Sequence, residues 1–333
     1  MSKTSKQRVI LAVDLKAGDL SQAVRTWKAL KAMYKTDANE IEPVCVLNRE
    51  DLAFGKLLKK QIGDLKAATE RHLGEQLAEL GLQGLAQPKV IFADGSSTQR
   101  AVDSLLNYAK ECSCDLIAVS SHNRKGLKRL FLGSFAETLS LQSPIPILVL
   151  NPNERIESRA FDTVLFPTDF SPKSKEGLEM VCRSLQGHKR KIIIFNSFLF
   201  QKYVFPVEVY MGVSASSEVP ESVYQDELKR IQKIGESWCK YLREQGFIGE
   251  LVIDRKSNFA AEGILTAAKR KKVGLIAMVS TTGKAGAILG SVTRQILRSS
   301  PRPVWIVHPT KPFTRLKPLR LLSQTVSRVG NDK

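Results

Sequence analysis

Apolar positions along the chain follow two spacings that alternate. Short continuous runs, "VILAV" at 9–13 and "TVLF" at 163–166, are each followed by apolar positions three or four apart: Val24, Trp27 and Leu30 after the first, Leu178, Val181 and Leu185 after the second. The runs predict buried strands, and the wider spacing predicts one face of an amphipathic helix. The alternation continues with "PVCVLN" (43–48) and "KIIIFN" (191–196), both ending in asparagine, and with "PKVIFAD" (88–94) and "GELVID" (249–254). Helices are predicted after these at about 98–111 and 260–271. Strands apolar on both faces and separated by amphipathic helices imply a mostly parallel sheet covered on each side.

The pattern occurs twice. "DLIAVSSHNRKGLKRLFLGSFAETLSLQSPIPILVL" at 115–150 lies on "GLIAMVSTTGKAGAILGSVTRQILRSSPRPVWIVHP" at 274–309, with a two-residue shortening in the second copy. Gly133-Ser134 then falls on Gly290-Ser291, and Pro144, Pro146 and Pro152 fall on Pro301, Pro303 and Pro309. A repeat of this length in 333 residues, beyond the size at which single cores usually divide, implies duplicated domains. The expected organisation is one domain over 1–155, a second over 156–310 and a basic tail over 311–333. The expected fold class is α/β, with two tandem doubly wound, five-stranded, mostly parallel sheets. The last strands, 145–150 and 303–308, are short, apolar and flanked by proline. They are expected to meet and make an intramolecular pseudo-dimer, because an open apolar edge invites aggregation.

Composition narrows the class. No apolar run approaches the roughly 20 residues of a membrane span, and "MSKTSKQRVILAVD" lacks the pattern of a secretory signal. Five cysteines, an odd number set mostly in apolar runs, fit reduced buried thiols, and Cys112 and Cys114 lack zinc-site spacing. The expectation is a cytoplasmic protein with no metal site of its own. The net charge of +18 divides as +5 for residues 1–155, +8 for 156–309 and +5 for 310–333. Charge alone raises polyanion binding through the tail. No aromatic residues interleave with the cations, so nucleic acid is not the expected partner.

In doubly wound sheets ligands bind beyond the carboxyl ends of the strands, where strand order reverses. That puts Asp14, Asp169 and the loops after residues 120 and 279 at the candidate site. Gly133-Ser134 opening "SFAETL" offers close approach, a hydroxyl and free N–H groups at a helix start, which suit phosphate. The same residues also read as a tight turn and a helix cap, with Glu137 closing a capping box.

The repeated block, the strand-end aspartates and the order of elements resemble the universal stress protein family, over residues 7–152 and 161–309. The resemblance implies an adenine nucleotide alpha hydrolase-like sandwich. It also implies a G-x2-G-x9-G-[S/T] loop that cradles ATP phosphates in the nucleotide-binding members. The first half has Ser120, Asn123, Gly133 and Ser134 at the motif positions, with full spacing but two glycines replaced. The second has Val279, Thr282, Gly290 and Ser291, two residues shorter, with Gly283 in use only after a shift of the loop. Asp14 and Asp169 match the family position near the adenosine part, and a strand-end aspartate capping the next loop is the alternative.

The resemblance therefore implies ATP or AMP as ligand, with the first half the better preserved. His122 has no carboxylate or cysteine partner nearby in sequence, and Arg124, Lys125, Lys128 and Arg129 form a basic cluster on the same loop. The 197–221 insertion, with Tyr203, Phe205 and Tyr210, has the length of a lid or partner surface. No set of residues supplies a base and a charge stabiliser for phosphoryl transfer. The expected function is a non-enzymatic stress-response protein that acts through protein partners and senses adenine nucleotide. A nucleotide-hydrolysing or nucleotide-transferring enzyme and a polyanion-binding protein are the alternatives.

Overall fold

The computed structural model describes residues 7–15, 20–33, 40–48, 59–82, 85–120, 133–151, 161–185, 190–198, 205–206, 216–217, 221–280 and 290–309. The first half runs β1 (Val9–Val13), α1 (Ser21–Met33), β2 (Ile41–Asn48), α2 (Lys59–Glu79), β3 (Lys89–Ala93), α3 (Thr98–Glu111), β4 (Leu116–Ser120), α4 (Ser134–Gln142) and β5 (Ile147–Leu150). The second runs β6 (Thr163–Pro167), α5 (Pro172–Ser184), β7 (Lys191–Ser197), a small pair β8 (Phe205–Pro206) and β9 (Ser216–Ser217), then α6 (Glu221–Glu244), β10 (Ile248–Asp254), α7 (Ala260–Arg270), β11 (Leu275–Val279), α8 (Ser291–Ser299) and β12 (Val304–Val307).

Local chemistry sets the helix ends. The Ser97 hydroxyl accepts from the N–H of Arg100 and starts α3, and Ser171, followed by Pro172, does the same for α5 through Ser174. α3 and α7 stop alike. Ser113 and Lys272 take left-handed backbone, with φ 53° and 50°, and the next N–H groups bond back to Ala109 and Ala268. The duplication thus reaches individual turn conformations.

The five strands expected of each half are present, and they join into one sheet rather than two. Its order is β10-β7-β6-β11-β12-β5-β4-β1-β2-β3. Every pairing in it is parallel except the junction, where β12 lies antiparallel to β5 with Val304, Trp305 and Ile306 opposite Val149, Leu148 and Ile147. These six side chains are all buried. Burial of each large apolar side chain is worth about 1.5–3 kcal/mol, so the edges gain more by meeting than by facing water. At the far end of the sheet, Glu70 on α2 accepts from the N–H of Val90 at 2.9 Å and blunts the β3 edge.

Residues of the junction alternate between two cores, each shared by both halves. Leu148, Leu150, Trp305 and Val307 pack on the face that carries α1 and α5, whereas Ile147, Val149, Val304 and Ile306 pack on the face of α3, α4, α7 and α8. Polar links cross the same junction: Asn151 Nδ2 donates to the Ser300 carbonyl at 3.1 Å, and Arg298 pairs with Glu137. All five cysteines are free thiols, and burial pushes those of Cys114 and Cys182 up to about 12. No helix among the described residues is long and apolar enough to cross a membrane.

Candidate functional site

In the first half β1 and β4 are neighbours, yet α1 covers one face of the sheet and α3 with α4 the other. Chain connections therefore diverge at the carboxyl ends of β1 and β4 and leave a crevice between them. A cavity of about 340 Å³ occupies it. Its apolar wall includes Val44, Val46, Ala101, Leu105, Val119 and Phe135, and its polar groups include Asp14, Gln22, Asn48, Ser96, Thr98, Ser120 and Ser134. Ala12, Val13, Leu20, Ala23, Gly133 and Ala136 complete the lining.

Four of the residues expected from the sequence, Asp14, Ser120, Gly133 and Ser134, thus converge on one cavity. Gly133 is the residue before α4, with extended backbone (φ −60°, ψ 147°) and no side chain to cap the helix. The first N–H groups of α4 consequently stand at the cavity wall without a capping hydroxyl from that position. Ser134 Oγ lies 3.4 Å from the Thr98 hydroxyl. The capping-box alternative does not form on Ser134: Glu137 turns outward to Arg298 of α8, and its own N–H bonds to the Gly133 carbonyl at 2.9 Å. Ser120 is held at the rear by a 2.7 Å bond to the hydroxyl of Thr26 on α1, which also donates to the Gln22 carbonyl at 2.9 Å.

Residues not singled out from the sequence contribute as much. Asn48, at the end of β2, donates to the Ser96 carbonyl at 3.3 Å, while its Oδ1 is buried with no hydrogen-bond partner among the described residues. Gln22, Ser96 and Thr98 lie after the ends of β1 and β3. Only the general rule that all strand ends face the site would have pointed to them, since no spacing links them. Asn123, His122 and the basic cluster at 124–129 lie outside the described residues, as do Gly283, most of the 197–221 insertion and the tail.

The second half departs from the first at the strand-end aspartate and at the helix–strand contact behind it, and matches it at the start of the last helix. Asp169 Oδ1 accepts from the N–H of Ser171 at 2.9 Å and from the Ser174 hydroxyl at 2.6 Å, so it fastens the first turn of α5. Burial alone would raise its pKa, but these bonds from Ser174 and Ser171 outweigh it and hold the carboxyl below its ordinary value. Val279 stands where the first half has Ser120, and on α5 Gly177 stands where α1 has Thr26. A Cβ added to Gly177 would run into the Val279 side chain, so a methyl-to-backbone contact replaces the hydroxyl pair. Gly290 and Ser291 open α8 as Gly133 and Ser134 open α4, and among the described residues no atom lies within 4 Å of a Cβ added at Gly290.

The two strand-end asparagines are not counterparts. Ala12 pairs with Val44 and its repeat equivalent Pro167 pairs with Phe195, so Asn196 occupies the level of Cys45. There it is 7% exposed and donates to the Thr168 carbonyl at 2.9 Å. Asn48 thus lies three residues further along β2 than Asn196 does along β7, and reaches the cavity.

Fold and crevice define a duplicated, doubly wound α/β protein with a ligand-sized cavity at the switch point of its first half. The model of the universal stress protein family matches residues 6–151 and again 160–308, so the chain belongs to that family, with two tandem domains. Universal stress protein MJ0531 of Methanocaldococcus jannaschii is 27% identical over 172 residues, covering 49% of this chain and 91% of that protein. Among solved structures, a universal stress protein of Archaeoglobus fulgidus superposes with a TM-score of 0.62 at 18% identity, over 90% of this chain and 98% of its own. The Pseudomonas aeruginosa protein PA1789 gives 0.54 at 13%, over 91% and 93%. These structures share the fold.

Proposed function

We propose that this chain is a non-enzymatic stress-response protein that binds an adenine nucleotide, ATP or AMP, in the first-half cavity and acts through protein partners. The convergence of Asp14, Ser120, Gly133 and Ser134 on one cavity carries the reading. The apolar wall of Val44, Val46, Val119 and Leu105 suits a flat heterocycle, and the uncapped start of α4 suits phosphate. Asn48 Oδ1, an acceptor in need of a donor, suits an exocyclic amine. The Asp14 carboxylate suits ribose hydroxyls, and the motif spacing from Ser120 to Ser134 supports the same orientation. The second half, with its Val279–Gly177 contact and its engaged Asp169, serves as a structural partner. The antiparallel β5–β12 junction supports reading the two halves as an intramolecular pseudo-dimer.

Among the described residues the cavity is lined by a single carboxylate, Asp14, and by no cation that could stabilise charge on a transferred group. The reading is therefore of binding, with at most slow hydrolysis. Titration calorimetry with ATP and AMP tests it. Saturable binding at one site per chain is expected, and heat changes no larger than dilution would remove the nucleotide from the function.

A further inference from the structure

Arg190 precedes β7 in the second half and is 1% exposed. Its Nη2 donates to the carbonyl of Met33 at 2.8 Å and to that of Ala32 at 3.2 Å, at the carboxyl end of α1 in the first half. The last carbonyls of a helix have no partners within it and carry partial negative charge, so a buried guanidinium is a strong cap for them. The backbone of Arg190 is itself fixed in the sheet, because its carbonyl accepts from the N–H of Ile248 at 2.9 Å.

The other end of the same helix builds the cavity. Gln22 and Ala23 line it, and Thr26 holds Ser120 at its rear wall. From Gln22 to Met33 a helix of this length is a rod of about 16 Å, so restraint of one end restricts tilt and sliding at the other. α3, which supplies Thr98, Ala101 and Leu105 to the same cavity, belongs to the opposite face of the sheet, and its carboxyl end is capped from within the first half, where Arg8 Nη1 donates to the Cys112 carbonyl at 3.1 Å.

We propose that Arg190 is a positioning residue for the first-half cavity: from the second half it sets the placement of α1, so that the nucleotide site is complete only in the tandem chain. The proposal rests on the nucleotide reading of that cavity. The second half, on this basis, contributes to binding without holding ligand, and ligand in the first half in turn tightens the Arg190 contact, because coupling of this kind is reciprocal.

The test compares full-length wild type with Arg190→Met and Arg190→Lys, by ATP titration calorimetry and by amide exchange resolved over residues 21–33 and 98–111. Arg190→Met should weaken ATP binding about 10-fold, the size expected when one charge-assisted tie is lost. It should also speed exchange in α1 while leaving α3 unchanged. Arg190→Lys, which keeps the charge but not the planar fork, should fall between and decides the matter if the methionine variant does not fold. Affinity within twofold of wild type in the folded variants, or exchange accelerated equally in α1 and α3, would overturn the proposal. Wild type that binds no ATP would instead overturn the nucleotide reading, and selective loosening of α1 would then decide the positioning role alone.

Discussion

The hydroxyls of Thr26 and Ser120 meet at 2.7 Å between α1 and β4, and at the matching place in the second half Gly177 meets the side chain of Val279. Two compatible pairs thus hold the same helix against the same strand. One leaves polar groups beside the crevice, and the other presents a branched apolar side chain at the strand end. The halves share a fold and differ at this helix–strand contact.

The pairs should not mix. Gly177→Thr should destabilise the protein by about 1–3 kcal/mol despite the better helix propensity, since threonine collides with Val279. Adding Val279→Ser should recover part of that loss by rebuilding the hydroxyl pair. Urea unfolding of the two single variants and the double variant measures the coupling, and strictly additive losses would mean that the two positions do not oppose each other.

Gly133→Val places a branched side chain at the start of α4, against the position proposed for phosphate. It should weaken ATP binding by roughly 10–100-fold, the loss expected for one or two charge-assisted bonds. Gly290→Val, where an added Cβ meets no atom within 4 Å among the described residues, should change binding little. Titration calorimetry on both variants checks the order.

Asp169 contributes through its charge. Its folded-state pKa lies below the ordinary 3.8, so its contribution is complete above that value and is lost as pH falls through the folded value. The stability gap between wild type and Asp169→Asn should hold steady from about pH 7 to 5 and shrink on further acidification. A gap that widens in acid would contradict the engagement with Ser171 and Ser174.

ATP turnover, if detectable, should be slow and equal in wild type and His122→Ala. Fast turnover lost in the variant would make the protein an enzyme and His122 its base.

Much of this was legible in the chain. α3 spans 98–111 as the apolar spacing predicts, because Ser97 caps it and helical period and caps agree. Asp14, Ser120, Gly133 and Ser134 were recognisable because they sit at strand ends or in a spaced motif. Asn48 and Asn196 look alike in the sequence because both runs end in asparagine, but the last residue of a run does not tell how far its strand passes its neighbour. That stagger is set by pairing with β1 and β6, which is not a local property. Arg190 carried no signal at all. A lone arginine before a strand gains meaning only when two helix carbonyls 157 and 158 residues away are brought to it. Val279 stands in the sequence only as a replaced motif position, whereas the fold sets it against Gly177 as a mutually adapted pair.

The occupancy of the first-half cavity is tested most directly by mass analysis of the small molecules released on heat denaturation of the purified protein, together with saturation by added ATP. An adenine nucleotide at no more than one per chain, absent from Gly133→Val, is the expected result. Two nucleotides per chain would contradict the division between the halves, and a protein that neither releases nor takes up adenine nucleotide would contradict the assignment of the cavity.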